Sequence, residues 1–453
     1  MNHKKSMTYK TIFIERYFKS FCSFFIFNSS FLIRIVYSSN PLYSEKSVVL
    51  GEIRCTRRNP LYYYYNMHTY LRSLLEQRQQ SALYRTRLTH LSPQTPTLLI
   101  DGQPYLAFCS NDYLGLASHP RLKAALEQGA NQYAVGSGAS HLITGHTLAH
   151  HALEKELAAY TGRERALLFS TGYMANLGVV TALLGRHDAV FLDKLNHVSL
   201  VEAALLSRAQ IHRYPHNDIQ TLARLLAKSQ APHKLIITDG VFSMDGDIAN
   251  LPDIVQLANT YQAWVMVDDA HGLGVLGETG RGTLEMYGLG ADEVPVLMGT
   301  LGKAFGVFGA FVAGSELLIE ALIQSARSYI YTTALPPALA EAVRESLVVA
   351  EEEAWRRQRL HELIAYFRAA AAKRQIPLME SFTPIQPIVL GESEKALAVN
   401  AALYERGIIV TAIRPPTVPQ KTARLRITLS ALHEENQIDR LIEALVDVIM
   451  NNE

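Results

Sequence analysis

Cysteine is scarce in this chain of 453 residues: Cys22, Cys55 and Cys109 are the whole supply. No two of them stand at the spacing of a zinc centre or a redox dithiol, so no metal-ligand set is expected from them. Such usage suits a reducing cytoplasm. Cys109, inside the apolar run YLAFCSNDYLGL, reads as a small packed side chain rather than a nucleophile. A long apolar run is lacking too. The most membrane-like stretch, Phe21 to Ile33, contains Ser23, Asn28, Ser29 and Ser30 and runs into Arg34, well short of the ~20 apolar residues of a spanning helix. Charge of one sign is also lacking, since the formal total is only +1. The first 66 residues hold ten Lys/Arg against three Asp/Glu, a surplus of seven that leaves the remainder at −6. An acidic body argues against the clustered basic face of a nucleic-acid binder. No GxxxxGK[ST] occurs, which excludes a Walker phosphate loop, and there is no internal repeat.

The residues present read as a large domain and a smaller one, because the chain is too long for one ordinary core. Residues 1–66 form an atypical extension, rich in Phe, Tyr and Ser and without lasting periodicity, that is expected to stand outside the fold. A secretory signal and a transit peptide are two readings of it. A third, which fits the composition better, is that the working chain begins near Met67, where MHTYLRSLLEQRQQ starts a helix. Residues 67–110 then supply that helix and short strands. Residues 111–350 alternate amphipathic helices with β-branched runs ending in Gly, Asp or Ser, the pattern of an α/β domain with a mostly parallel sheet. Expected strands include Ala166–Phe169, Lys234–Thr238 and Trp264–Val267. Expected helices include His151–Tyr160 and a long segment around Pro337–Ala372, in which EEEAWRRQR forms a charged surface. Residues 351–453 make a small domain whose sheet comes from PIQPIVL, GIIVTAI and ARLRITLS.

The chemistry-bearing residues gather after the strands, where open α/β sheets bind ligands. Lys303 sits in MGTLGKAFGVFGA among glycines and apolar residues. Burial there disfavours the ammonium and frees the amine for Schiff-base chemistry, against the plainer reading of a snorkelling surface lysine. The strand WVMVDDAHG ends in Asp268, Asp269 and His271. Acids at a strand end often only cap a turn. Beside a heterocyclic nitrogen, however, Asp268 would keep that nitrogen protonated and electron-accepting. Ser170-Thr171-Gly172-Tyr173 lies between a strand and a helix, an opening that favours a phosphate. His197 alone is an unspecific, more often packed, histidine. Pro415 pushes Arg414 toward extended backbone and Pro416 stiffens the residues after it, which holds the guanidinium for a carboxylate.

STGYMAN, DKLNHVSL, TDGVFSMDGD, VDDAHGLGVLGE and GTLGKAFG, in this order and spacing, resemble the α-oxoamine synthase family of fold-type I pyridoxal-phosphate enzymes. The resemblance covers residues 70–447. It implies a homodimeric transferase carrying pyridoxal 5'-phosphate on Lys303, with Asp268 on the pyridine nitrogen and His197 stacked on the ring. Ser243 and His271 would meet the phenolic oxygen side, Gly172 and Tyr173 would lie along the cofactor, and Thr300 would help hold the phosphate. Asn111, Arg85, Arg414 and Thr417 would face the substrates, with Arg87 a competitor to Arg85 in YRTRL. TAIRPPTVP followed by TARLRITLSALHE resembles the branch that condenses L-alanine with a pimeloyl thioester, on coenzyme A or an acyl carrier protein, in biotin biosynthesis. Gln420-Lys421, where a glycine is common, departs from that pattern. A sibling synthase using glycine or another acyl thioester, and an aminotransferase of the same fold, remain as rivals; fold alone does not separate them.

Overall fold

The computed structural model describes residues 12–17, 21–28, 31–38, 49–53 and 61–450, with side chains from 67 to 449. Residues 1–84 and 85–453 form two compact units. In the first, β1 (Ile12–Tyr17), β2 (Phe21–Asn28), β3 (Phe31–Ser38) and β4 (Val49–Ile53) make an antiparallel sheet in that order, followed by α1 (Leu61–Gln80). The membrane-like stretch is therefore divided between two strands, in keeping with its aromatic and β-branched residues. The helix expected from Met67 starts six residues earlier and takes in the tyrosine run. Cys55 lies outside the described residues, and for Cys22 only the backbone is described. Among the described residues no helix is long and apolar enough to cross a membrane.

The second unit opens with β5 (Thr97–Ile100) and β6 (Gln103–Ala107), an antiparallel hairpin. Its turn is Asp101-Gly102, both at positive φ (48° and 77°), the geometry whose twist matches that of the flanking strands. Next in the chain is the central sheet: β7 (Arg165–Phe169), β8 (Ala189–Asp193), β9 (Gln210–Tyr214), β10 (Lys234–Asp239), β11 (Trp264–Asp268), β12 (Val296–Thr300) and β13 (Ala310–Gly314). Their spatial order is β7-β13-β12-β11-β10-β8-β9. Only β13 runs against its neighbours, so the sheet is mostly parallel, as expected.

Helices on both faces explain why these strands, apart from the edge strand β9, are largely apolar rather than alternating. The period of two sorts their side chains. Val190, Leu192, Leu235, Ile237 and Met266 pack with Ala175, Val179 and Leu200, from α4 (Gly172–Leu183) and α5 (Val198–Ser207). Phe191, Ile236, Val265 and Val267 pack on the other face with Leu222, Leu226, Ile254 and Val255. Each such side chain contributes about 1.5–3 kcal/mol by leaving water. By the same count Asp239 and Asp268 project to the face of α4 and α5, which sets up the site.

The long helix expected over Pro337–Ala372 is two, Pro337–Glu352 and Trp355–Lys373. The charged EEEAWRRQR is only partly a surface. Arg356 and Arg357 are buried and donate to the carbonyls of Leu114, Ala350 and Glu278; those orphan carbonyls turn the two guanidinium groups inward. Beyond them β14 (Ile385–Gly391), β17 (Ala423–Thr428) and β16 (Thr411–Ile413) form an antiparallel sheet. GIIVTAI is not one strand. Its first part, β15 (Ile408–Ile409), pairs in parallel with β6, while β16 crosses to β17.

Candidate active site

Lys303 follows β12 in a tight loop closed by the Gly306 amide on the Lys303 carbonyl. Gly306 takes φ +70°, and a Cβ there would strike the backbone of Leu116 and Ala117, so only glycine lets the loop approach that segment. The Lys303 Nζ lies 2.9 Å from Nε2 of His271. Burial, with Asp268 pulling the other way, lowers its amine to about 8. His271 is held well below its ordinary value by burial and by the Lys303 charge, so the ring is neutral. Its Nδ1 meets the Tyr113 hydroxyl at 2.7 Å, and that hydroxyl donates to Asn111 Oδ1 at 3.2 Å. One consistent set of protons runs from Lys303 to Nε2, from Nδ1–H to Tyr113 and from Tyr113 to Asn111. Arg426 completes the end of the chain, donating to Asn111 Oδ1 from both Nη atoms and to the Ser243 carbonyl from Nε.

Asp268 is buried, and each carboxylate oxygen has a donor: Asn176 Nδ2 at 2.8 Å and the Ala270 amide at 3.1 Å. Asn176 also donates to Ser199 Oγ, which meets His197 Nδ1 at 2.7 Å. The His197 backbone amide is held by Asp239. Although His197 is exposed as a residue, partial loss of hydration keeps its ring below its ordinary value against the pull of Asp268. Asp269 does a different job. It is fully buried, accepts from the Thr283 amide, and is pushed up to about 8 by burial. A Cβ on Gly240, Gly272 or Gly282 would run into its carboxyl group, so it is the packed centre of a turn.

Thr171 caps α4 by accepting from the Met174 amide, leaving the Gly172 and Tyr173 amides at a helix opening. Thr300 closes β12 and donates to the Gly309 carbonyl. A Cβ on Gly172 would meet Met298 of β12, the strand that leads into Lys303. Ser243 enters the cluster through its carbonyl, in the contact with Arg426. Arg414 and Thr417 sit on the loop after β16, where Arg414 is half-buried, Thr417 is exposed and the Pro415–Pro416 peptide is cis. Burial lowers the Arg414 guanidinium and so does the positive charge of Arg85. Cys109 packs beside the β5–β6 core, its thiol pushed up to about 11 by burial, a poor nucleophile.

Five residues of the cluster, Asn176, Ser199, Asp239, Tyr113 and Arg426, are not singled out by the sequence motifs. Asn176 is within reach of sequence reasoning, since it stands four residues after Gly172 on the same helical face. Arg426 is hidden from it, because an arginine in a strand reads as a solvent-facing residue, whereas β17 is buried along its whole length.

Residues 103–445 match the aminotransferase class I and II family. The 8-amino-7-oxononanoate synthase of Thioalkalivibrio sulfidiphilus is 59% identical over 376 residues, 83% of this chain and 96% of the relative. That of Methylococcus capsulatus is 60% identical over 366 residues, 81% and 95%. The chain belongs to the 8-amino-7-oxononanoate synthase family. Among solved structures, the 8-amino-7-oxononanoate synthase of Francisella tularensis superposes with TM-score 0.68 at 33% identity, covering 77% of this chain and 98% of that one. Serine palmitoyltransferase from S. paucimobilis superposes with TM-score 0.79 at 28% identity, covering 87% and 99%. The fold is that of the fold-type I pyridoxal-phosphate transferases, and the 8-amino-7-oxononanoate synthases depend on that cofactor. The residues here fit it: a partly buried amine lowered to about 8, a carboxylate with both oxygens anchored, an exposed histidine beside them and a helix opening suited to a phosphate.

Proposed function

We propose that this chain condenses L-alanine with a pimeloyl thioester, on coenzyme A or an acyl carrier protein, to give 8-amino-7-oxononanoate, CO2 and the free thiol. The observation that carries this reading is the identity near 59% along 96% of an 8-amino-7-oxononanoate synthase. Pyridoxal 5'-phosphate, when bound, supplies an electron sink that acidifies the Cα of the amino acid. Lys303 would hold the cofactor and, once displaced by alanine, remove the Cα proton through Nζ; an amine near 8 is suited to take up and return a proton near neutral pH. Asp268 would keep the pyridine nitrogen protonated, with Asn176 and the Ala270 amide fixing the carboxylate. His197 would stack on the ring and polarise the new ketone as CO2 departs. His271 and Ser243 would bracket the phenolic oxygen side, with Gly172, Tyr173 and Thr300 at the phosphate end.

Arg414 would bind the substrate carboxylate. Arg85, whose charge acts on Arg414, would face the substrates as well. Asn111 and Thr417 would complete the substrate side. The enzyme would work as a cytoplasmic homodimer, with residues 111–350 as the cofactor domain and 351–453 as the small domain. Mass spectrometry of the product formed from L-alanine and pimeloyl-coenzyme A or the pimeloyl carrier protein tests the reading. The expected mass is that of 8-amino-7-oxononanoate. Thiol release with glycine or serine and none with alanine would point to a sibling synthase, and amine transfer without thioester consumption to an aminotransferase.

A further inference from the structure

We propose that His146, His151 and Glu154 bind a zinc ion at the entry to α3 (Leu148–Thr161), a site independent of the condensation reaction. One donor atom from each of the three lies within 4.8 Å of the others. His151 and Glu154 are three residues apart on the helix and so share a face; His146 reaches the same place from just before the capping Thr147. Tetrahedral zinc with bonds of about 2.0–2.2 Å needs donors about 3.3–3.5 Å apart. His146 Nε2 and Glu154 Oε2 are already 3.9 Å apart, and the remaining donor separations, within 4.8 Å, must close by side-chain rotation on binding.

The surroundings orient the donors as a metal site requires. His146 Nδ1 is engaged at 3.0 Å by Nδ1 of His141, which directs Nε2 toward the other two residues. His141 is itself fixed, buried and stacked on Tyr329 at 4.9 Å. Glu154 Oε1 accepts from the Leu168 amide at 3.0 Å, leaving Oε2 on the His146 side. With its side chain only 14% exposed, this carboxylate has largely lost water as a partner, and a cation would restore the lost stabilisation. His150 is not part of the set, because the Thr147 amide donates to its Nδ1 and its Nε2 meets the Leu335 carbonyl. Two imidazoles and one carboxylate favour zinc over magnesium or calcium, which prefer all-oxygen shells. His151 is exposed, so the fourth position opens to water. In the sequence the site is written as H-x-x-E on a helix, a pattern that the spacing of cysteines does not reveal.

The test is calorimetric titration of the full-length holoenzyme, first stripped with a chelating resin, using ZnCl2 and, separately, MgCl2. One zinc per chain and no magnesium is expected. His151→Gln alters an exposed position and spares folding, and Glu154→Gln keeps an acceptor for the Leu168 amide. Each is expected to weaken zinc binding at least about tenfold, with unfolding temperature without metal reported alongside. Absence of zinc binding by the parent, or affinity retained by either variant, overturns the proposal.

Discussion

Lys303 and Asp268 acquire their properties from neighbours far away in the chain. Lys303→Ala is expected to abolish the visible, borohydride-reducible band that the parent forms with pyridoxal phosphate; a persistent reducible band would place the Schiff base on another residue. Because burial lowers the Lys303 amine to about 8, the free amine accumulates two and a half units below the ordinary 10.5. The rate of Schiff-base formation by the cofactor-free enzyme should therefore rise with pH and level off above about 8, as followed by stopped-flow absorbance. A rate still climbing at pH 10 would show an ordinary lysine. Asp268 and Asp269 should separate cleanly. Asp268→Asn leaves the pyridine nitrogen without its anion and should slow exchange of the alanine Cα proton into deuterated water on the order of 10²-fold. Asp269 is pushed up to about 8 and so is mostly protonated at neutral pH; Asp269→Asn swaps one neutral group for another and should cost far less. The reverse order would overturn the assignment of the ring partner.

Among the elements, α4 links stability to the site. Its first turn is held by the Thr171 cap, and the same turn presents Gly172, Tyr173 and, one turn on, Asn176. Thr171→Ala should lower the unfolding free energy of the cofactor-free protein by about 1 kcal/mol. It should also weaken pyridoxal-phosphate binding in a fluorescence titration; full retention of cofactor affinity would remove this helix opening from the phosphate site. Existence and type of the central strands are readable from their runs of Val, Ile, Leu and Met, because strands covered on both faces need no polar alternation. Less readable is the break after Glu352, since no Gly or Pro marks it and EEEAWRRQR consists mostly of good helix formers. GIIVTAI likewise reads as one strand although its two parts serve different sheets, a choice made by the partners β6 and β17 rather than by local propensity.

At the scale of the whole molecule, the residues assigned to cofactor and substrate, from Arg85 to Arg426, all lie in the unit of residues 85–453. A chain beginning at Met67 is therefore expected to bind pyridoxal phosphate and turn over as the full chain does, even though it loses the first six residues of α1. It is expected to remain a dimer by light scattering. A folded but monomeric protein, or a dimer unable to form the Schiff base, would give residues 1–66 a part in the enzyme.

The sequence by itself determined the α/β class, the mostly parallel sheet, the order of the motifs and the resemblance that led to the cofactor. Those features are local: side-chain period, turn residues and short motifs survive without knowledge of distant contacts. The resemblance also pointed to Asp268 rather than Asp269 as the ring partner. Only the tertiary structure decided that Asn176 anchors Asp268, that Tyr113 and Asn111 extend the chain from His271, and that Arg426 turns inward to meet them. Arg424 likewise pairs with Asp245 inside the fold. The physical reason is the same in each case. A buried polar group must find its partner, and which partner it finds depends on strands and helices brought together from sequence positions more than ninety residues apart, a pairing that no local pattern encodes.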